Sequence, residues 1–177
     1  MAERPIFKYQ PNYYRINEPT DEKRACECCG KEVDLYQSHI YSATSRPDCI
    51  CLECVASGAA AEKFNGTFNG VRPEEFARDP REIVSDPART DELTRRTPSF
   101  FSWQEYDWPV CCDDYCAFLG HYDDEPVQEL ELDLEDFNPC PGDELTEDGL
   151  DYVDETGDGL VFQCLHCKKY YLIVDYD

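Results

Sequence analysis

Cysteine clusters constrain this chain more than any other feature, because twelve of its 177 residues are Cys. "CECCG" at 26–30 is followed by "CICLEC" at 49–54, and "CCDDYC" at 111–116 is followed by "CLHC" at 164–167. Clusters of this kind serve a metal site, a disulfide framework or thiol chemistry. The rest of the sequence has to decide among these three uses.

The first residues, "MAERPIFKYQPNYYR", mix charges with prolines and have no apolar segment of the kind that a secretion signal needs. The apolar runs of the chain are also much shorter than the roughly 20 residues that a membrane-spanning helix requires. We therefore expect a cytoplasmic protein whose thiols stay reduced. A reducing compartment favours metal ligation over disulfide bonds.

Four cysteine pairs have the spacing of metal ligands. In three of them two residues separate the thiols, and a turn of that length can direct both thiolates at one tetrahedral ion. The fourth pair, Cys112 with Cys116, is one residue longer. Taken in sequence order, the pairs predict two sites that hold one zinc ion each. Their ligands are Cys26, Cys29, Cys51 and Cys54 in the first site and Cys112, Cys116, Cys164 and Cys167 in the second.

Other registers remain open, since Cys49 could pair with Cys51 and Cys111 could pair with Cys116. Four thiolates also suit an iron ion, so the sequence does not distinguish zinc from iron. Four cysteines are left over, and the ordinary role of such a residue is that of a small buried apolar side chain. These four are Cys28, Cys49, Cys111 and Cys140.

A site closed by four thiolates leaves no coordination position for water, so both sites are predicted to be structural. The histidines His39, His121 and His166 lie outside the motifs of metalloproteases and deaminases, which place a general base beside the metal. We therefore predict no catalytic residue and no enzyme. The strongest enzymatic alternative is a thiol redox protein that uses the C-x-x-C pairs.

Charge is distributed unevenly along the chain. The net charge is -23, from 16 basic and 39 acidic residues, and the stretch from Thr97 to Cys167 contains 20 acidic residues without a single Lys or Arg. Such a field repels nucleic acid and anionic membranes, and it accelerates encounter with a basic protein. We therefore expect a basic protein partner, with no nucleic acid, membrane or small-molecule substrate.

The segment 123–158 combines carboxylates with apolar side chains and is the predicted contact surface for that partner. The residues predicted to bind it are Asp123, Asp124, Glu129, Glu131, Asp133, Glu135 and Asp136. The alternative is a solvated surface whose charge only keeps a cysteine-rich chain soluble.

The predicted fold class is α+β, with small zinc-ribbon-like β-hairpins around the two sites and a central segment of short helices. The first residues suit an edge strand or extended arm, and the Ala-rich stretch after Cys54 suits a helix. "VQELELDLEDF" alternates Leu with acids, which predicts a half-buried strand, and 138–159 is predicted to be a loop. "LVFQCLHCKKYYLIVDYD" predicts a strand, a cysteine turn and a returning strand. The expected regions, 1–70, 71–97 and 98–177, form one compact unit.

Several longer motifs resemble the CbrC family, small bacterial proteins associated with tolerance to colicins. The resemblance rests on "FKYQPN", "CECCG", "CLECVASGAAAEKFNGTF", "RTPSFFSWQEYDWPVCCDDYCAFLG" and "FQCLHCKKYYLIVD", in this order from about Ile6 to Asp175. The family pattern implies that the eight predicted ligands are those named above. Departures include Ser99 and Phe100, where the family more often has Gly and Tyr, and Cys111, where a His is common.

The resemblance implies an immunity or tolerance protein. With the acidic charge, it leads us to expect direct one-to-one binding of a basic toxin domain such as a nuclease, because steered association would fill a basic cleft with carboxylates. A zinc-ribbon adaptor within a larger assembly is the alternative outside enzyme chemistry.

Overall fold

A computed structural model describes residues 4–77, 79–140 and 144–177. Within these ranges the regular elements are short. The α-helices are α1 (Tyr13–Ile16), α2 (Leu52–Ala56), α3 (Ala59–Lys63), α4 (Pro87–Arg96), α5 (Glu125–Gln128) and α6 (Glu147–Thr156). Single 3₁₀ turns cover Glu74–Phe76, Pro80–Glu82 and Leu134–Asp136. None of the helices in these ranges is long and apolar enough to cross a membrane.

Among the described residues, the strands form one four-stranded sheet and four two-stranded ladders. They are β1 (Arg24–Ala25), β2 (Glu32–Val33), β3 (Tyr36–Gln37), β4 (Tyr41–Ser42), β5 (Ile50–Cys51), β6 (Gly66–Thr67), β7 (Val110–Cys111), β8 (Asp114–Tyr115), β9 (Ala117–His121), β10 (Asn138–Pro139), β11 (Gly159–Gln163) and β12 (Tyr170–Val174). The large sheet has the order β10-β12-β11-β9, and the ladders pair β1 with β2, β3 with β5, β4 with β6 and β7 with β8. The fold is therefore mixed α/β with small antiparallel hairpins.

The C-terminal hairpin is present as the sequence predicts. Strands β11 and β12 are antiparallel, with Gly159 opposite Val174 and Gln163 opposite Tyr170. The cysteine turn thus lies at the end of a sheet strand. The N-terminal arm runs beside the same sheet, because the N–H of Phe118 in β9 donates to the carbonyl of Tyr9 at 2.9 Å. The edge strand or extended arm expected from the first residues is wrong, because turns at 8–9 and 11–12 lead into α1 and residues 4–12 contain no strand.

The strand predicted over 127–137 is wrong. Helix α5 covers its first residues, with Pro126 in the first turn, and Glu131 has φ +52°, a left-handed conformation that a strand cannot accommodate. Leu130, Leu132 and Leu134 still pack against the apolar cluster on the sheet. The alternation of Leu with acidic residues therefore indicates a half-buried segment that forms no hydrogen-bonded pair with a sheet strand.

The loop predicted over 138–159 contains helix α6 instead. The hydroxyl of Thr146 accepts a hydrogen bond from the N–H of Gly149 at 3.2 Å, and Gly157 ends the helix with φ +79°. Val153 is fully buried on the face that packs on the sheet. Residues 141–143 of the predicted loop lie outside the described residues.

Three apolar clusters build the interior of the described part of the chain, and two of them contain buried cysteines. The first, from Phe7 to Phe68, surrounds the early cysteines, and the second, built around Trp108, Phe118 and Phe162, surrounds the later ones. The third holds helix α6 against the sheet. Each cysteine cluster of the sequence therefore borders an apolar core.

Candidate metal centres

The first candidate centre contains the four predicted cysteines, Cys26, Cys29, Cys51 and Cys54. Their sulfur atoms all lie within 4.8 Å of one another, and the Sγ atoms of Cys29 and Cys51 are 3.6 Å apart. Zn–S bonds of about 2.3 Å would place tetrahedral thiolates about 3.8 Å apart. The group can therefore hold one metal ion.

Local turns bring these thiols together. Gly30 adopts φ +81° and its N–H donates to the carbonyl of Cys26 at 2.7 Å, which closes a tight turn around the first pair. The second pair spans the end of β5 and the first turn of α2, so a strand delivers Cys51 and a helix delivers Cys54. The backbone N–H of Cys51 also donates to the Sγ of Cys26 at 3.1 Å.

The thiols of this group differ in acidity. Burial alone would raise the pKa of Cys26, but backbone N–H groups that point at its sulfur lower the pKa to about 7. Burial raises the pKa of Cys51 to about 12 and also raises that of Cys54. Near neutral pH the four thiols cannot all be ionised without a cation, because the negative charges repel one another. A thiophilic divalent ion would provide the compensating positive charge.

The second candidate centre differs from the prediction in one ligand. It is formed by Cys111, Cys112, Cys164 and Cys167, whose sulfur atoms also lie within 4.8 Å of one another. The Sγ of Cys111 is 3.7 Å from that of Cys112 and 3.6 Å from that of Cys167. Cys116, the predicted fourth ligand, is not in the group.

A β-hairpin explains the exchange of Cys116 for Cys111. Strands β7 and β8 are joined by Cys112 and Asp113, which have φ +56° and +57°, the two left-handed residues of a type I′ turn. The chain therefore reverses directly after Cys112, and the N–H of Cys116 pairs with the carbonyl of Pro109 at 2.9 Å. Cys116 is fully buried in the second apolar cluster.

The "CLHC" turn supplies the other two thiols of the second centre. The N–H of Cys164 donates to the carbonyl of Lys169 at 2.9 Å, and the N–H of Cys167 donates to the Sγ of Cys164 at 3.4 Å. The backbone N–H of Lys169 lowers the pKa of Cys167 to about 7. Burial raises the pKa of Cys111 to about 12. This centre is more open than the first, because Cys112 and Cys167 are exposed.

A buried carboxylate connects the second centre to the N-terminal arm. Asp114, only 2% exposed, accepts hydrogen bonds from the hydroxyl of Tyr9 at 2.7 Å and from the Nζ of Lys8 at 3.0 Å. The Nε2 of His166, whose side chain is 49% exposed, lies 3.0 Å from the same carboxylate. Burial opposes ionisation of Asp114, but these neighbours lower its pKa. The CLHC turn is thereby held against the arm.

The remaining cysteines lie outside both groups. Cys49 and Cys140 are buried, as is Cys116, and Cys28 is half-buried against the first apolar cluster. No sequence signal separated Cys111 from Cys116, because both stand at workable distances from Cys112. The hairpin turn that separates them contains no Gly or Asn, the residues that usually mark a type I′ turn.

The seven acidic residues predicted to bind a partner fall into two sets. Four have intramolecular roles: Asp124 accepts from the N–H of His121, Glu129 pairs with Arg15 at 2.7 Å, and Asp133 and Asp136 cap a 3₁₀ turn. The other three are exposed to solvent. They are Asp123, Glu131 and Glu135. The structure therefore leaves a smaller free acidic set than the sequence indicated.

Comparison with known proteins identifies the family. The model of an uncharacterised protein family, UPF0167, matches residues 4–176. The chain belongs to the UPF0167 family. The CbrC family expected from the motifs is thereby corrected, since neither the matching model nor the curated relatives carry that name.

The curated UPF0167 relatives match along almost their whole length. The UPF0167 protein PA1536 of Pseudomonas aeruginosa is 30% identical over 179 residues, which cover 97% of each chain. The UPF0167 proteins Mb2317 of Mycobacterium bovis and MT2352 of Mycobacterium tuberculosis are each 26% identical over 181 residues, covering 97% of this chain and 93% of theirs. No solved structure matches the chain.

Proposed function

We propose that this UPF0167 protein is a metal-dependent protein-binding protein. Each four-cysteine group holds one zinc ion as a structural centre, and the acidic C-terminal part binds a basic protein. The observation that carries the proposal is the donor set, two groups of four thiols within 4.8 Å that leave no position for a water or a substrate.

Zinc fits the local chemistry of both groups. The strands around them are two to five residues long, and a bound ion would cross-link these short elements. Zinc also suits a structural site because the ion has no redox chemistry and accepts the tetrahedral arrangement of four thiolates. We therefore expect metal binding and folding to be coupled.

The basic partner is supported by charge. The 71 residues from Thr97 to Cys167 contain no Lys or Arg, and three carboxylates of the predicted surface face solvent without the intramolecular roles of their neighbours. A toxin as that partner was suggested by the CbrC resemblance alone. The proposal therefore names the chemistry of the partner and no toxin.

Metal analysis tests the first half of the proposal. The purified chain should contain two zinc ions and show none of the visible absorption of an iron–thiolate centre. Cys26→Ser should lose one ion, whereas Cys49→Ser, a change at a buried cysteine outside both groups, should keep two. A metal-free chain that carries disulfides would contradict the proposal.

Charge-matched variants test the second half. The basic protein that co-purifies with the chain from its own cells should associate more slowly with the triple variant Asp123→Asn, Glu131→Gln, Glu135→Gln, and the salt dependence of its rate should decrease. A triple variant at Glu18, Asp21 and Glu22, exposed acids far along the chain, removes the same charge. An equal slowing in both variants would show that only net charge matters.

Thiol redox chemistry is the second candidate, and the exposure of Cys112 and Cys167 in the second centre favours it. The two candidates differ in thiol accessibility. A metal-loaded centre should resist alkylation until a chelator is added, whereas a redox centre should label rapidly at Cys167 before any chelator is present.

A further inference from the structure

An open groove with exposed aromatic walls lies outside both cysteine groups. Six large apolar side chains of the described chain are strongly exposed, and three of them, Tyr41, Phe101 and Trp103, line this one groove of about 570 Å³. Exposing a large aromatic side chain to water is unfavourable in free energy. Three such side chains on one surface therefore indicate a contact site.

The aromatic wall is held rigidly from below. Asp175 is 2% exposed, and its carboxylate accepts hydrogen bonds from the backbone N–H groups of Trp103 and Gln104 at 2.9 and 3.0 Å and from the hydroxyl of Ser102 at 3.0 Å. The rings of Phe101 and Trp103 meet edge to face, with centroids 4.8 Å apart. The exposed rings are therefore preorganised, which lowers the entropy cost of binding.

The charge of the groove is negative. Glu105 lines it, is exposed, and has no ion-pair partner among the residues that the structure describes. Asp107 also lines it and pairs with Arg72. Across the described ranges, no Lys or Arg side chain contributes to the lining. An aromatic surface beside an unpaired carboxylate attracts a cation, because ring faces and carboxylates both carry negative potential.

We propose that this groove binds an arginine side chain presented by an extended segment of a basic protein. The guanidinium group stacks on an aromatic ring, donates to the carboxylate of Glu105, and loses less hydration than an ammonium group does. The inference rests on the proposed function for the basic nature of the partner. It adds a binding surface that the acidic segment 123–158 does not include.

Capped peptides test the groove directly. The probes are a peptide with three Arg residues separated by Ser-Gly and its Lys counterpart, titrated into the metal-loaded chain at fixed ionic strength. Trp103 is 57% exposed and the other tryptophan, Trp108, is buried, so fluorescence reports the groove. The Arg peptide should bind several-fold more tightly than the Lys peptide. Trp103→Ala, which removes the fluorescent reporter and is therefore measured by calorimetry, should weaken binding of the Arg peptide about 5- to 30-fold.

The controls separate the groove from general charge attraction. Phe76→Ala removes another strongly exposed aromatic ring, one that does not line the groove, and should leave peptide affinity unchanged as measured by calorimetry. Glu105→Gln should weaken binding about 2- to 5-fold, and it serves as the second variant if Trp103→Ala is poorly folded.

Three results would overturn the groove proposal. These are equal affinity for both peptides, equal loss in Phe76→Ala and Trp103→Ala, and a concentration-dependent dimer in sedimentation that Trp103→Ala abolishes, which would make a second copy the occupant. Failure of the proposed function would be seen in other measurements. The purified chain would lack zinc, or the association rate of the basic protein would be unchanged in the triple variant at Asp123, Glu131 and Glu135.

Discussion

Cys111 and Cys112 are adjacent in sequence, and both belong to one four-thiol group. Adjacent residues rarely reach the same ion from a regular strand, because their side chains point to opposite faces. Here Cys112 begins a turn with φ +56°, so the chain twists immediately after Cys111 and both sulfurs point at the same place. The hydroxyl of Tyr171 donates to the Sγ of Cys111 at 3.1 Å and holds it there.

This geometry predicts opposite outcomes for two serine variants. Cys111→Ser should reduce the metal content by one ion per chain, because serine is a poor ligand for a thiophilic ion. Cys116→Ser should keep every ion and lower the free energy of unfolding by about 1–3 kcal/mol, since it buries a hydroxyl in an apolar cluster. Metal analysis and urea titration measure both quantities. Loss of an ion from Cys116→Ser alone would restore the sequence-based ligand set.

Helix α6 forms despite a composition rich in acidic residues, and the residues at its two ends contribute to its stability. Five of its ten residues, Glu147–Thr156, are Asp or Glu, three of them outside the first turn, and its buried residues are Gly149 and Val153. The hydroxyl of Thr146 accepts from the N–H of Gly149, one of the donors at the start of a helix that have no partner within the helix. The acids of the first turn, Glu147 and Asp148, also favour the positive end of the helix dipole.

Removal of that cap should destabilise the metal-loaded protein. Thr146→Ala should lower the free energy of unfolding by about 1 kcal/mol, because the N–H of Gly149 loses its acceptor. Thr146→Ser keeps the hydroxyl and should restore most of the stability. Urea denaturation followed by circular dichroism measures the difference, and equal losses in both variants would show that the methyl group of Thr146 matters rather than the cap.

The whole molecule carries a net charge of -23, and its acids cluster in the half of the chain that forms the four-stranded sheet. Self-repulsion of this size opposes the compact state. Salt screens it, since the Debye length falls from about 10 Å at 0.1 M to about 3 Å at 1 M. Ion pairs between exposed side chains, such as Arg15 with Glu129, contribute too little to reverse the effect.

We therefore expect the thermal midpoint of the metal-loaded chain to rise by several degrees between 0.1 M and 1 M NaCl. The triple amide variant at Glu18, Asp21 and Glu22 carries three fewer negative charges and should gain less. Thermal melts followed by circular dichroism, with metal content checked at each salt concentration, test this expectation. A midpoint that falls with salt in both proteins would mean that attractive pairs outweigh repulsion.

Short-range patterns were predictable in this protein. The C-x-x-C pairs came together because two residues suffice to direct two thiols at one point, whatever surrounds them. The C-terminal hairpin followed from β-branched and aromatic residues on either side of such a turn. The alternating Leu residues of 127–137 are half-buried, as predicted, but the segment is not a strand. Alternation indicates which side chains are buried and does not determine whether the backbone pairs with a neighbouring strand.

The sequence by itself determined the number of four-thiol groups, the members of the first and the sign of the charge, because each depends on residues close together or on a simple sum. Only the tertiary structure decided that Cys111 and not Cys116 completes the second group, because a hairpin turn and a buried core compete for neighbouring thiols. The structure also decided that Tyr41 and Trp103, far apart in the chain, face one groove. Such contacts depend on how distant segments pack, which local sequence patterns do not encode.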